Sequence, residues 1–322
     1  MSVPVSVPAP YWLPILAGSM AGVLFLLPRL AASAPALALP LGIASLFAAL
    51  PLLVVRLSGR FVQAGQALAI AFVLISLSAS AEAAASFAIV FGLWALVGGE
   101  VMARRRSIIA GCAAGFVILA AEALLTILAE GTAPVEATLR SPQIQTAFDQ
   151  WAAQAPMPPA EAKTAIEQVR SGIVALYPSL SVVSAGTMVA LNAIALGRLV
   201  NLSRAASFPK GELLALRWPL ALVVGFVISG ALLLAPGFQS VAWNGLVVTL
   251  FLFLLQGLSV LCFALARVFS SELMRTLFVV ASLLGPWAIF LSLLGLFDQW
   301  FDFRSRFVSS DTPVAPTNQN LQ

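Results

Sequence analysis

The sequence predicts an all-α fold, a polytopic transmembrane helical bundle of eight or nine spans with an extramembrane amphipathic helical insertion. Three observations predict it. Of the 322 residues, 61% are hydrophobic and 9% are charged, where soluble domains carry roughly 45–50% and about 25%. Mean hydropathy is +1.00. The apolar residues also fall into runs close to the about 20 residues that cross a bilayer, separated by charged or Pro/Gly breaks. With 17 Lys plus Arg and 13 Asp plus Glu, the chain cannot coat a water-facing surface, so the lipid bilayer is its first partner.

In chain order the predicted spans are Leu13–Leu27, Ala36–Val55, Phe61–Ser78, Ala83–Val101 and Ser107–Ala129. After a polar stretch come Ile173–Leu196, Trp218–Ala235, Trp243–Ala266 and Thr276–Phe297. The first is short and flanked by Pro14 and Pro28, so an interfacial first segment with eight spans is the alternative. The opening residues, MSVPVSVPAPYW, lack a basic n-region and are punctuated by proline. They read as a lead-in rather than a cleavable signal peptide.

Between the fifth and sixth spans, Ile144, Phe148 and Trp151 follow helical i, i+4, i+7 spacing. Pro156, Pro158 and Pro159 break that helix, and Ile166, Val169 and Ile173 begin another. The expectation is two short amphipathic helices around a proline elbow, either resting on the membrane surface or closing over an outward-facing pocket. The segments are therefore spans 1–5 over residues 1–129, a non-cytoplasmic hairpin over 130–172, spans 6–9 over 173–306, and a disordered tail over 307–322. Arg56, Arg60, Arg104–Arg106, Arg198, Arg204, Lys210, Arg217, Arg267 and Arg275 fall in loops on one side, eleven of the 17 cations. By the positive-inside rule that side is cytoplasmic and the N-terminus lies inside.

Composition excludes several functions. Histidine is absent, which removes Ser-His-Asp catalysis and His-ligated metals. Cys112 and Cys262 sit in apolar runs as packing residues. There is no GxxxxGK[ST] phosphate loop, so any ATPase would be a separate chain. The isoelectric point near 9.7 reflects loop cations rather than nucleic-acid binding. The chain reads as non-enzymatic, with no catalytic residues, cofactor or metal.

Polar residues inside spans invite a reason, because a central charge costs about 2.5–3.5 kcal/mol on insertion scales. Glu122, Asn192 and Gln256 are the ligand-binding candidates. Each also has a plainer reading, an ion pair for Glu122 and interhelical hydrogen bonds for the two amides. Glu100 beside Arg104–Arg106 reads as an ion-pair partner. Gly18-x-x-x-Gly22 and Gly111-x-x-x-Gly115 permit close helix approach, within the chain or against a partner. Aromatic residues crowd the segment Gly295–Arg304, GLFDQWFDFR, as at a membrane interface. Asp298 and Asp302, four apart, can share a helix face. With Trp300 and Arg304 they are candidates for partner contact, and the alternative is an Asp–Arg pair that terminates the helix.

GLFDQWFDFR at Gly295–Arg304, preceded by FLFLLQGLSV at Phe251–Val260, resembles the YybS-like family of bacterial membrane proteins, a domain of unknown function. The resemblance spans roughly Leu13 to Arg306 in the order of its segments. It implies a multi-pass protein of the bacterial plasma (inner) membrane with about eight spans. It also implies a distant similarity to the S components of energy-coupling-factor transporters. In those, a small-xxx-small face on the first helix docks the energising subunit, the part Gly18 and Gly22 would play. The leading functional expectation is thus a transport subunit that binds a small-molecule ligand and is energised by a membrane coupling subunit with ATPases. The alternative is a structural or regulatory scaffold that uses Gly18, Gly22, Asp298, Trp300, Asp302 and Arg304 as contacts.

Overall fold

The computed structural model describes residues 10–30, 37–59, 61–203, 208 and 211–309. Within these, helices account for nearly all of the chain and there is no strand. The lead-in at 1–9, the cations Arg60, Arg204 and Lys210, and the tail from 310 lie outside the described residues. Residues 307–309, expected in the tail, belong instead to the last helix, Phe303–Ser309.

Among the described residues, six helices are long and apolar enough to cross a membrane, and a seventh if one sharply bent pair is a single span. Two shorter apolar helices, Leu13–Arg29 and Ala221–Leu232, stand where the first and seventh spans were expected. The chain divides into two compact units, Met1–Glu212 and Leu213–Gln322.

In the first unit, α1 (Leu13–Leu30) packs on α4 (Phe61–Ser78). Gly18 and Gly22 make this possible. A methyl on Gly18 would overlap the Ala67 carbonyl, and one on Gly22 would strike Leu74. The small-residue face expected to dock a partner is therefore filled by the chain itself. The second span is broken into α2 (Ala38–Ser45) and α3 (Leu50–Ser58) by a turn. Next, α5 (Ala81–Phe87) passes through a π-helical segment, Ala88–Leu93, into α6 (Trp94–Arg105). Then α7 runs from Ile108 to Glu130. Fully buried Trp94 occupies the space left by Gly98 and Gly115, and buried Met102 that left by Gly111, so the second GxxxG face is also consumed internally.

The insertion differs from a free-standing hairpin. Its first arm is α8 (Ala133–Leu139) and α9 (Pro142–Gln154). The proline elbow ends α9 as expected. Its second arm does not stop near Gly172, because α10 (Pro159–Ser203) continues unbroken for 45 residues, about 67 Å at 1.5 Å per residue. Arg170 ties the arms together. It donates to Gln145 Oε1 at 2.7 Å and lies over the Phe148 ring at 5.0 Å.

The second unit contains α11 (Ala221–Leu232), α12 (Gln239–Val268), α13 (Glu272–Leu283), α14 (Trp287–Phe301) and α15 (Phe303–Ser309). Gly257 and Gly295 interlock α12 with α14, since a methyl on either would overlap a backbone carbonyl, Leu291 or Phe253 respectively. The expected ninth span is bent by 101° between α13 and α14. Gly285 at φ +62° and Pro286 at the start of α14 make that bend. No residue of α13 is buried.

Candidate functional site

The helix that carries Glu122 is fixed at its start. Ser107 caps α7 by accepting from the Ala110 N–H at 3.0 Å. Glu212 takes the remaining donors, accepting from Ser107 Oγ, from the Ile108 N–H at 2.8 Å and from the Ile109 N–H at 3.4 Å. A carboxylate placed on free N–H groups at a helix N-terminus is favourable both as an acceptor and as a negative charge. Glu212 opens a short 3-10 helix, Glu212–Ala215, and nothing in the sequence singled it out. On the preceding helix, α6, Glu100 accepts from Arg104 at 2.5 Å and also pairs with Arg56 on α3.

A cavity of about 450 Å³ opens between α7 and α10. Leu119, Glu122, Ala123 and Thr126 form its α7 side, a stripe at i, i+3, i+4 and i+7. Tyr177, Leu180, Ser181, Ser184, Ala185 and Met188 form the facing stripe of α10, again on one helix face. The space exists because Ala123, Ser181, Ser184 and Ala185 are too small to fill it. Leu46, from the turn between α2 and α3, and Val90, from the π-helical segment, complete the lining. No lining residue comes from α8 or α9, which brace α10 and do not cover the cavity.

Glu122 accepts one long hydrogen bond, 3.4 Å, from Thr126 Oγ1 on its own helix. The lining holds no Lys or Arg. By helix rise the carboxylate lies about 12 Å along the axis from the end of α7 at Glu130. The other two ligand candidates stand elsewhere. Asn192 is fully buried and donates to the carbonyls of Leu46 and Met188, both at 2.8 Å. It holds two lining residues without lining the cavity itself, and its Oδ1 is buried without a hydrogen-bond partner.

Gln256 belongs to a separate polar cluster in the second unit. Its Nε2 donates to Asp298 Oδ2 at 2.9 Å, and its Oε1 accepts from the Trp218 N–H and from Gln299 Nε2, both at 3.0 Å. Arg304 Nη1 donates to the same Asp298 oxygen at 3.0 Å. Its Nη2 reaches the Leu216 carbonyl at 2.9 Å and Ser259 Oγ at 3.0 Å. Asp298 Oδ1 accepts from the Phe303 N–H at 3.1 Å. Burial lowers the Arg304 guanidinium from its ordinary range, and Asp298 and then Asp302 oppose that pull. At Asp302 the chain turns left-handed, φ +40°, and α14 ends.

Within GLFDQWFDFR, then, fully buried Asp298 and largely buried Arg304 form an internal pair rather than a contact surface. Asp302 is half-exposed and lies 4.0 Å from Arg217. Trp300, 58% exposed, is the outward member of the expected contact set. Among the described residues no group of three or more Cys, Asp and Glu side chains is placed to hold a metal ion.

The family model for predicted membrane proteins, DUF2232, matches residues 22–299. The chain belongs to that family. The matched range takes in α7, α10 and α12, and so the Glu122 cavity, and it ends at Gln299 inside the polar cluster. No curated protein and no solved structure matches the chain.

Proposed function

We propose that this DUF2232 protein is a ligand-binding subunit of a transport system, seated in a bacterial plasma membrane and energised by a separate coupling subunit with ATPases. The observation that carries the reading is the Glu122 cavity. Its volume, about 450 Å³, lies within the range of small-molecule sites, about 300–1,000 Å³. Its lining combines apolar walls with a few convergent polar groups, and a lone carboxylate in a membrane span marks a functional site by default. The resemblance of Gly295–Arg304 to the YybS-like family, and through it to S components, points the same way at the level of fold. The role is binding without covalent chemistry, with the Arg104–Arg106 and Arg267–Arg275 ends in the cytoplasm.

Affinity purification from gently solubilised native membranes, with mass spectrometry of proteins and small molecules, tests this. The expected result is a membrane coupling subunit with ATPases and a stoichiometric small molecule. Recovery of envelope proteins alone would replace the reading with a scaffold that docks through the exposed Trp300 rim.

A further inference from the structure

The Glu122 cavity carries a chemical preference in its own lining. Of its twelve lining residues only Glu122 is charged, and no cation stands among them to neutralise it. The Thr126 hydroxyl at 3.4 Å is a weak partner for a carboxylate within a membrane-spanning helix. An anionic ligand would meet like charge, while a cationic one would supply the missing partner. The remaining polar groups suit an ammonium. The hydroxyls of Tyr177, Ser181 and Ser184 carry acceptor lone pairs, and Ser181 already spends its own proton on the Tyr177 carbonyl at 2.9 Å. The Tyr177 ring adds an electron-rich face of the kind that attracts cations. Leu46 and Val90, from other elements than these, offer an apolar wall without side-chain donors. A bare metal ion is a poorer fit, because no second carboxylate joins Glu122 in the lining.

We infer that the cavity takes a protonated amine with an apolar body, its ammonium on Glu122 and its hydrocarbon against the α2–α3 turn and the π-helical segment. This rests on the reading of the cavity as a ligand site and adds the class of ligand.

The test is the thermal unfolding of the full chain in lipid nanodiscs with three probes of one shape. These are 2-phenylethylammonium chloride, 2-phenylethanol and 3-phenylpropionate, with sodium chloride as the salt control. The ammonium is expected to raise the unfolding temperature most, the alcohol weakly and the acid not at all. Glu122→Gln is expected to weaken ammonium binding by about 10- to 100-fold, the worth of a charged hydrogen bond, and to leave the alcohol's effect unchanged. Equal stabilisation by ammonium and alcohol, unaltered in Glu122→Gln, would overturn the amine and leave a ligand site standing. Stabilisation matched by sodium chloride would likewise overturn it. No effect of any probe at millimolar concentration would overturn both the amine and the cavity as a site. Should Glu122→Gln fail to fold, Ser184→Leu, which narrows the cavity from α10, must abolish the ammonium effect, and its persistence would overturn the proposal.

Discussion

Asp298 shows how little freedom a buried charge has. Both of its oxygens are used, Oδ2 by Gln256 and Arg304 and Oδ1 by the Phe303 N–H. Removing one partner of a buried ion pair leaves the other uncompensated, at about 3–5 kcal/mol. Asp298→Ala should therefore lower the unfolding temperature sharply, and Asp298→Ala with Arg304→Leu should recover part of the loss. Equal damage in the single and double variants would show that the pair is not the source. Gly257 and Gly295 are a second case. Alanine at either needs backbone movement between α12 and α14, and Gly295→Ala should cost about 1–3 kcal/mol by overpacking, read as a drop in melting temperature.

These residues were visible in the sequence one at a time and not as a network. Gln256, Asp298 and Arg304 each stood out, because amides and charges are rare in so apolar a chain. Their mutual bonds depend on the rotation of α12 against α14, which composition does not encode. Glu122 was legible for the same reason. Its facing stripe, Tyr177 to Met188, consists of common residues on a helix far along the chain, so the cavity was not.

At the scale of elements, hydropathy placed the apolar runs and missed their breaks. Thr276–Phe297 reads as one span because Gly285-Pro286 lies inside a run of apolar residues, yet that dipeptide turns the chain by 101°. The second arm of the insertion reads as short because its polar residues end near Gly172. Nothing there stops a helix, and α10 runs on. The start of α7 carries its own prediction. Glu212→Gln keeps an acceptor and loses the charge on the helix N-terminus, so it should destabilise by about 1–2 kcal/mol. Calorimetry that finds no change would show that Ser107 capping suffices.

For the whole molecule, the proposed orientation puts the two ends of α7 on opposite faces of the membrane. In a background without Cys112 and Cys262, Gln143→Cys should react with an impermeant thiol reagent in intact cells. Arg105→Cys should react only after permeabilisation. Labelling of both from outside would contradict the assignment of the Arg104–Arg106 loop to the cytoplasm. The same arrangement sets the Glu122 carboxylate nearer the outer end of its helix, on the side of α8 and α9, so a ligand would enter from outside.

The most direct measurement is native mass spectrometry of the protein taken from its own membranes, wild type beside Glu122→Gln. A cavity that binds a small cation through Glu122 predicts a discrete small-molecule adduct on the wild type that is lost from the variant. The same adduct on both proteins, or none on either, would contradict it.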